Sequence, residues 1–163
     1  MDPKGALALE EVPKRLLVIG GGYVGLEMGQ VYAALGSQVT LVQSRERLLP
    51  QIDEDLVSVL AKRIEAGFEA VRYETRTTKI NEEDDRVTVT LKGKDKEDEQ
   101  QFERVLMAVG REANTEELGL EKAGVEIDDK GNIRIDKQCR TTAENIYAVG
   151  DVAGGIQLAH KAM

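Results

Sequence analysis

Residues 14–36 read KRLLVIGGGYVGLEMGQVYAALG, and this segment sets the architecture expected of the chain. It contains an apolar run at 16–19, then Gly20, Gly22 and Gly25, and then a helical pattern. Gly20 permits a tight turn, Gly22 lets a ligand approach the backbone because it has no Cβ atom, and Gly25 lets the helix pack closely on the strand. The first N–H groups of such a helix lack intrahelical partners and lie at the positive end of its dipole. The segment therefore predicts a strand–turn–helix that binds the pyrophosphate of a dinucleotide.

Three neighbouring glycines often mark only a structural turn, so the flanking elements carry this interpretation. The strand before the glycines, the helix after them and a second apolar strand at 38–42 are all present. One crossover helix fits between the two strands, which predicts that they are parallel. We therefore favour a dinucleotide site over a glycine turn without a ligand.

The first 110 residues predict a βαβαβ unit with an insertion before its last strand. The predicted elements of the unit are a strand at 15–19, a helix at 23–35 that ends at Gly36, a strand at 38–42, a helix at 54–66 capped by Asp53, and a strand at 70–73. The insertion is predicted as strands at 77–81 and 86–92, a solvated charged loop at 93–100, and a return strand at 102–109 that is buried on both faces. The expected fold is α/β, a Rossmann-like parallel sheet with helices on one face and a small antiparallel β-meander on the other.

After Gly110 the sequence becomes more polar and its elements become short. We expect a helical turn at 118–123, a hairpin at 128–131, a strand at 145–149 and the start of a helix at Leu158. The predicted organisation is a lead-in segment at 1–13, which includes a short helical turn at 6–10, a nucleotide-binding domain at 14–112 and a partial further segment at 113–163. A helix that begins so near the last residue suggests that the chain is a piece of a longer protein.

Composition excludes several classes of function. The chain has 163 residues, 41% of them hydrophobic and 32% charged, as in a soluble domain with a core of its own. A net charge of −8 argues against a nucleic-acid or anionic-membrane surface, and no apolar run is long enough to span a bilayer. Residues 1–13 lack the pattern of a signal peptide, so a reducing, cytoplasmic compartment is expected. Because Cys139 and His160 are the single cysteine and histidine, we predict no metal site and no catalytic residue.

Four ordered motifs resemble a known family. They are ALALEEVPKRLLVIGGGYVGLEMG at 6–29, RERLLPQID at 45–53, LMAVGREAN at 106–114 and IYAVGDVAGGIQLAHKA at 146–162. In this order they resemble the central part of the flavoprotein disulfide reductases, most closely the dihydrolipoamide dehydrogenase type. The family usually has a proline where this chain has Ala113, which puts the loop geometry there in question.

The resemblance implies that the chain is the NAD(P)-binding domain of an enzyme that also carries FAD. Such an enzyme passes electrons from a dithiol through a redox disulfide and FAD to a nicotinamide cofactor, and it is expected to be a homodimer. The resemblance places the motif at 108–111 at the return crossing toward the flavin domain and assigns Asp151 to the flavin. Gly110 and Arg111 are expected along the cofactor groove, while the alternatives are a strand-end cap for Arg111 and a strand-end turn residue for Asp151. With one cysteine, and without the main FAD and interface domains, the chain alone is expected to be inactive. The alternatives are a stand-alone nucleotide-binding module or a domain of a glutathione or mercuric reductase-type enzyme.

Tyr23, Val24 and Glu27 lie in the first turns of the predicted helix, with Tyr23 and Glu27 one turn apart on a shared face. The resemblance implies that Tyr23 covers the nicotinamide pocket and that Glu27 orients the carboxamide. The structural alternative is a surface aromatic and an acid favoured by the helix dipole.

Gln43 stands where the dinucleotide fingerprint expects an acid. An acid there accepts hydrogen bonds from the ribose and repels a 2′-phosphate, whereas glutamine keeps one acceptor and removes the charge. Ser44, Arg45 and Arg47 follow, and an arginine at this point is able to hold a phosphate. The pattern favours competence for NADP(H) and leaves NAD(H) open, while the alternative is a solvated basic turn.

Overall fold

The structure is a computed structural model of the chain, and it describes residues 1–162. The chain divides into two compact units, Met1–Gly110 and a second that begins at Arg111. The helices of the first unit are α1 (Pro3–Leu7), α2 (Tyr23–Ala34) and α3 (Glu54–Gly67). Its strands are β1 (Arg15–Ile19), β2 (Gln38–Val42), β3 (Ala70–Arg72), β4 (Arg76–Glu83), β5 (Arg86–Lys92), β6 (Glu97–Phe102) and β7 (Arg104–Met107). None of the helices between residues 1 and 162 has the length and apolar character needed to cross a membrane.

The core of the first unit is a four-stranded parallel sheet in the order β3-β2-β1-β7. Both β2 and β7 pair in parallel with β1, which confirms the predicted crossover between the first two strands. A separate antiparallel sheet of β4, β5 and β6 lies in the chain between β3 and β7. The predicted fold class, a Rossmann-like sheet with an inserted meander, is confirmed.

Strand β1 is buried on both faces. Leu16 and Val18 belong to a hydrophobic cluster with residues of α2 and α3, whereas Leu17 and Ile19 belong to a second cluster with residues of the meander. All four side chains are at most 7% exposed. This two-sided burial explains why the strand is an unbroken apolar run, as in parallel sheets covered on both faces.

The predicted charged loop at 93–100 is wrong, because residues 97–102 form strand β6. Its side chains alternate, with Asp98 and Gln100 partly buried and Phe102 buried, and they pair with β5 in an antiparallel register. Because the segment is rich in acidic residues, the sequence did not reveal that its side chains alternate with a period of two. The inward carboxylate of Asp98 is accommodated because the guanidinium of Arg72, at the end of β3, binds it at 2.6 and 3.0 Å.

The strand predicted at 102–109 is confirmed at Arg104–Met107, where it forms the parallel strand β7, but its predicted bounds are wrong. The chain changes direction at Glu103, whose N–H donates to the carbonyl of Arg15, and β7 begins at the next residue. Val105 and Leu106 are buried as expected, but Met107 is 41% exposed.

The first residues are an integral part of the first unit. The helical turn predicted at 6–10 lies earlier, at α1, where the side chain of Asp2 accepts a hydrogen bond from the N–H of Gly5 at 2.7 Å. The amino terminus of Met1 donates to the carbonyl of Val105 at 2.7 Å. The buried hydroxyl of Tyr32, in α2, donates to the carbonyl of Ala6 at 2.6 Å. These bonds attach α1 to both β7 and α2.

The second unit has little regular structure. An antiparallel bridge between Ile127 and Ile133 closes the hairpin predicted at 128–131. The strand predicted at 145–149 is wrong, because only Tyr147 is paired there, in an isolated bridge with Arg140. Short 3₁₀ turns form at Asp151–Ala153 and Ala159–Ala162, and the latter stands where a helix was expected to start. A small core holds this unit together and consists of Val125, Ile133 and Ala148.

Among residues 1–162, the Arg72–Asp98 pair is the one ion pair that joins the parallel sheet to the meander. Both side chains are only about one-fifth exposed, at 21% and 20%, and the contact is bidentate. The hydrogen bonds from Arg72, assisted by Gln100, lower the pKa of Asp98 from 3.8 to about 2. The folded state therefore favours the ionised carboxylate.

We predict that Asp98→Asn lowers the free energy of unfolding by about 1–2 kcal/mol at neutral pH, since a partly exposed charged pair is screened by solvent. Because the pKa of Asp98 is depressed in the folded state, its contribution is complete above the ordinary pKa of 3.8 and is lost as the pH falls toward about 2. Urea unfolding at several pH values should show the two proteins converging in acid.

Glu97→Gln on the same strand is the matched control. Its partner Lys92 lies 3.9 Å away, and both side chains are more than half exposed, at 52% and 63%. This variant should change the free energy of unfolding by less than about 0.5 kcal/mol. An equal effect of the two substitutions at neutral pH would contradict the assignment.

Candidate functional site

The glycine turn begins where β1 ends. Gly20 has φ of +111°, a conformation that side-chain-bearing residues seldom adopt, and its N–H donates to the carbonyl of Val42 at 2.9 Å. A Cβ atom at Gly20 would overlap the carbonyl oxygen of Ala108, just after β7. The turn therefore lies at the carboxyl edge of the sheet, between the ends of β2 and β7.

Helix α2 lies against this turn without intervening side chains. A Cβ atom at Gly25 would overlap the carbonyl oxygen of Gly20 and would approach the side chain of Val18 to 3.2 Å. One turn later, a Cβ atom at Gly29 would lie 2.6 Å from the ring of Phe68. Two of the four buried residues of α2 are thus glycines, in agreement with the close packing expected at Gly25.

Gly22 differs from these positions because it is open. No heavy atom of the described residues lies within 4 Å of a Cβ atom built there, and its φ of −86° suits any residue. It is the N-cap of α2, and no side chain of residues 1–162 caps the helix. The main-chain N–H groups of Tyr23, Val24 and Gly25 precede the first intrahelical bond, which runs from Leu26 to Gly22. The arrangement suits an anionic ligand at the positive end of the helix.

The loop after β2 forms a wall beside the glycine turn. The N–H of Leu49 donates to the carbonyl of Gly21 at 3.1 Å, and the buried side chain of Leu48 packs on Gly21. A Cβ atom at Gly21 would lie 2.7 Å from that leucine. The loop position is therefore coupled to the position of the turn.

Gln43 lies at the base of this loop. It is only 8% exposed, and its amide nitrogen donates to the carbonyl of Arg47 at 3.2 Å. Its side-chain oxygen accepts no hydrogen bond from residues 1–162, and the amide lies close to Gly21. An uncharged acceptor thus remains available beside the glycine turn, where the fingerprint places an acid.

The two arginines of the loop differ in their availability. The guanidinium of Arg47 donates to the carbonyls of Pro50 and Ile52 at 2.8 and 3.0 Å, so it braces the loop. Arg45 is exposed, and within the described residues it makes no ion pair or side-chain hydrogen bond. Of the two, Arg45 is the one free to meet a phosphate.

An open depression adjoins this loop and contains a residue that the sequence motifs did not indicate. It is lined by Ser44, Arg45, Glu46, Arg47, Pro50, Gln51 and Glu74. Glu74 comes from the segment after β3, and its N–H donates to the carbonyl of Arg45 at 3.0 Å. The one feature of the sequence that indicates Glu74 is its position after β3, a strand that neighbours β2.

Tyr23 and Glu27 both lie in the first half of α2. Tyr23 is half-buried and packs against the helix-side core, whereas Glu27 is exposed and has no ion-pair partner among residues 1–162. Their proposed contacts with a nicotinamide remain predictions.

The other predicted site residues lie at and beyond the boundary of the two units. Gly110 is the exposed last residue of the first unit. In the second unit, Arg111 and Asp151 form an ion pair at 2.9 Å, with side chains 51% and 39% exposed. Asp151, expected to contact a flavin, thus has a cationic partner within its own unit.

The remaining titratable residues provide few further candidates for a functional site. Among residues 1–162, no group of three histidines, cysteines or acids is placed to hold a metal ion. Cys139 is a free thiol in the left-handed region, with φ of +61°.

Comparison with known proteins identifies relatives along the whole chain. The family model described as pyridine nucleotide-disulphide oxidoreductase matches residues 1–163. The chain is 45% identical over 160 residues to a dihydrolipoyl dehydrogenase of Haemophilus influenzae, covering 98% of this chain and 33% of that protein. It is 42% identical to a dihydrolipoyl dehydrogenase of Bacillus subtilis, covering 99% of this chain and 35% of that protein.

Solved structures agree with the sequence comparison. The HOCl-induced flavoprotein disulfide reductase RclA of Escherichia coli, in its Cu(II) complex, superposes with a TM-score of 0.86 at 31% identity, covering 99% of this chain and 37% of that one. LpdA of Mycobacterium tuberculosis superposes with a TM-score of 0.81 at 32% identity, covering 95% of this chain and 33% of that one. The chain thus spans about a third of the length of the curated relatives it matches.

We predict that Gly22→Ala folds but binds a nicotinamide dinucleotide at least about tenfold more weakly, because an added methyl group would occupy the approach of the pyrophosphate. The space around Gly22 is empty, so its thermal stability should change little beyond the modest cost of alanine at an N-cap. Isothermal titration with NADH and NADPH, together with thermal unfolding, measures both effects.

Gly67→Ala is the control, since a Cβ atom there also meets no heavy atom of the described residues and the site is the last residue of α3. It should bind both dinucleotides like the unaltered chain. Gly25→Ala should instead fail to fold, because its methyl group overlaps the carbonyl oxygen of Gly20. Full-strength dinucleotide binding by Gly22→Ala would refute the assignment.

Proposed function

The chain belongs to the pyridine nucleotide-disulphide oxidoreductase family, and from this premise we propose that it supplies the NAD(P)-binding domain of a dihydrolipoyl dehydrogenase-like flavoenzyme. The observation that carries the proposal is the open helix N-terminus at Gly22, at the carboxyl edge of a parallel sheet. Ligands of open α/β sheets bind at this edge. The names of the curated relatives favour this enzyme type.

In the proposed reaction of the parent protein, a dithiol is oxidised to a disulfide and NAD(P)⁺ is reduced to NAD(P)H with release of one proton. The two electrons pass through a redox disulfide and FAD, which other parts of such an enzyme supply. The residues of this chain bind and orient the nicotinamide dinucleotide, and none is assigned a catalytic step.

The parts of the dinucleotide are assigned to different elements. The N–H groups at 23–25 bind the pyrophosphate, and Gly22 makes room for it, while Gly20 allows the tight turn and Gly25 allows the close approach of α2. We assign the nicotinamide end to Tyr23 and Glu27, and the adenosine ribose to Gln43, Ser44 and Arg45. This last assignment is supported by the proximity of the Gln43 amide to the glycine turn.

The domain organisation is proposed on the same basis. After a lead-in segment at 1–13, residues 14–112 are assigned to the nucleotide-binding domain and 113–163 to a returning segment of a flavin domain, with Gly110 and Arg111 assigned to the cofactor groove. The compact units divide after Gly110, two residues before this proposed boundary. The ion pair of Asp151 with Arg111 competes with its proposed contact to the flavin. We further propose that the parent enzyme is a cytoplasmic homodimer.

A second function is favoured by a specific observation. The sequence contains one cysteine, so the chain cannot form an internal redox disulfide. Taken alone, it is therefore a nucleotide-binding module without catalytic activity. Glutathione and mercuric reductase-type enzymes share the architecture and remain in-class alternatives for the parent.

We predict that the purified 163-residue chain is colourless and has no diaphorase activity, while it still binds a nicotinamide dinucleotide. The physical reason is that it lacks a second thiol and, under this proposal, the main flavin site. Absorbance spectroscopy and a dye-reduction assay measure this directly. A yellow sample that reduces dye with NADH would overturn the assignment of an inactive module.

We also predict that both NADH and NADPH bind, and that Arg45→Ala weakens NADPH binding about tenfold while NADH changes less than about threefold. A hydrogen bond between charged groups contributes about 1.5–3 kcal/mol, and only NADPH carries the 2′-phosphate. Fluorescence titration of each cofactor gives the two dissociation constants.

The control for this experiment is Arg86→Ala, at the exposed start of β5 in the meander. It removes the same charge at a remote place and should leave the ratio of the two dissociation constants unchanged. An equal loss of NADH and NADPH affinity in Arg45→Ala would show that Arg45 does not contact the 2′-phosphate.

A further inference from the structure

We propose that Glu74 sets the cofactor selectivity of the site by placing a carboxylate at the 2′ position of the adenosine ribose. In this role Glu74 takes over the task of the acid that the dinucleotide fingerprint expects at position 43. The inference rests on the proposed function, and it concerns a residue outside the motifs of the sequence.

The position of Glu74 in the fold supports this role. Glu74 lines the same depression as Ser44 and Arg45, although it follows β3 and they follow β2. Strands β2 and β3 are parallel neighbours, so their carboxyl ends meet at one edge of the sheet. A side chain after β3 is therefore within reach of a ribose bound at the end of β2.

The second support is the way in which the backbone holds Glu74. Its N–H donates to the carbonyl of Arg45 at 3.0 Å, and the next N–H, of Thr75, donates to the carbonyl of Gln43 at 3.0 Å. These two bonds extend the pairing of β2 and β3 beyond the sheet and fix the distance between the two segments. The origin of the Glu74 side chain is therefore fixed relative to Gln43 and Arg45.

The third support is the conformation of Glu74, whose φ of +46° lies in the left-handed region. Glycine or asparagine adopts this region at lower cost than glutamate does. Five other non-glycine residues among residues 1–162 also have a positive φ, so Glu74 is distinguished by combining this conformation with a place in the depression. The glutamate is not needed for folding contacts, since it is exposed and its side chain makes no ion pair or hydrogen bond with residues 1–162.

The fourth support is the balance of charge in the depression. Gln43 contributes no charge, and the guanidinium of Arg47 is already bonded to two carbonyls of its own loop. Arg45 shares the lining of the depression with two acids, Glu46 and Glu74. A ribose hydroxyl can donate to a carboxylate, whereas a 2′-phosphate, with a charge of about −1.5 to −2, is repelled by it.

Glu74 and Arg45 therefore act in opposite directions. Arg45 favours the phosphorylated ribose, and Glu74 favours the free hydroxyl pair. Their opposition accounts for a site able to accept both cofactors, with a preference that depends on one carboxylate fixed by the backbone.

The test is to measure the dissociation constants of NADH and NADPH for the unaltered chain and for Glu74→Gln at two ionic strengths. Removing the carboxylate should shift the ratio of the two constants about tenfold toward NADPH, and the shift should shrink at high salt. Glu74→Asn is the second variant, because asparagine suits a positive φ and removes the charge without adding strain. It should shift the ratio in the same direction.

Glu82→Gln is the matched control, an exposed acid near the meander turn, and it should leave the ratio unchanged. If the unaltered chain binds neither dinucleotide, the proposed function is wrong and this inference fails with it. If both dinucleotides bind and neither Glu74 variant shifts the ratio by more than about twofold, the inference alone is wrong. A shift in both variants that the control does not reproduce supports it.

Discussion

The structure depends on the contact between helix α2 and the end of strand β1, where no side chain intervenes. A Cβ atom at Gly25 would overlap the carbonyl oxygen of Gly20, so the helix can take this position only with glycine there. That contact places the N-terminus of α2 at the carboxyl edge of the sheet. Since β2 and β7 run parallel to β1, the loops after them reach the same edge. This close contact between the backbones of α2 and β1 thus positions both the candidate anion site and the loops that flank it.

The same strand also explains why the first unit has two layers around its sheet. Leu16 and Val18 require cover from the helices, and Leu17 and Ile19 require cover from the meander. The meander is therefore a packing layer, and the ion pair of Arg72 with Asp98 fastens it where β3 ends. The residues that follow Arg72 form the segment whose N–H groups bond to the loop after β2. By fastening the end of β3, the meander also stabilises one side of the candidate site.

Local sequence predicts those elements whose cause is local. The bounds of β1 and β2 and the start of α2 follow from an apolar run, period and glycine spacing, and they are confirmed. Strand β6 was missed because the buried charge of Asp98 is compensated by Arg72, which is 26 residues away in the chain. The engagement of Arg47 by carbonyls of its own loop, and the arrival of Glu74 beside Arg45, likewise depend on the folded backbone. The glycine motif therefore predicted where the candidate site lies, but it did not predict which of the charged side chains there lack partners.

Under the proposed function, affinity and selectivity are carried by different parts of the candidate site. The pyrophosphate, common to both nicotinamide cofactors, is assigned to main-chain N–H groups at the start of α2, whose geometry is fixed by the core. The 2′ position is assigned to exposed side chains on the segments after β2 and β3. Substitutions at exposed positions without side-chain partners disturb folding little. Under the proposed function, single charges at Arg45 or Glu74 can therefore change the cofactor preference, while the open helix N-terminus at Gly22 continues to bind the pyrophosphate.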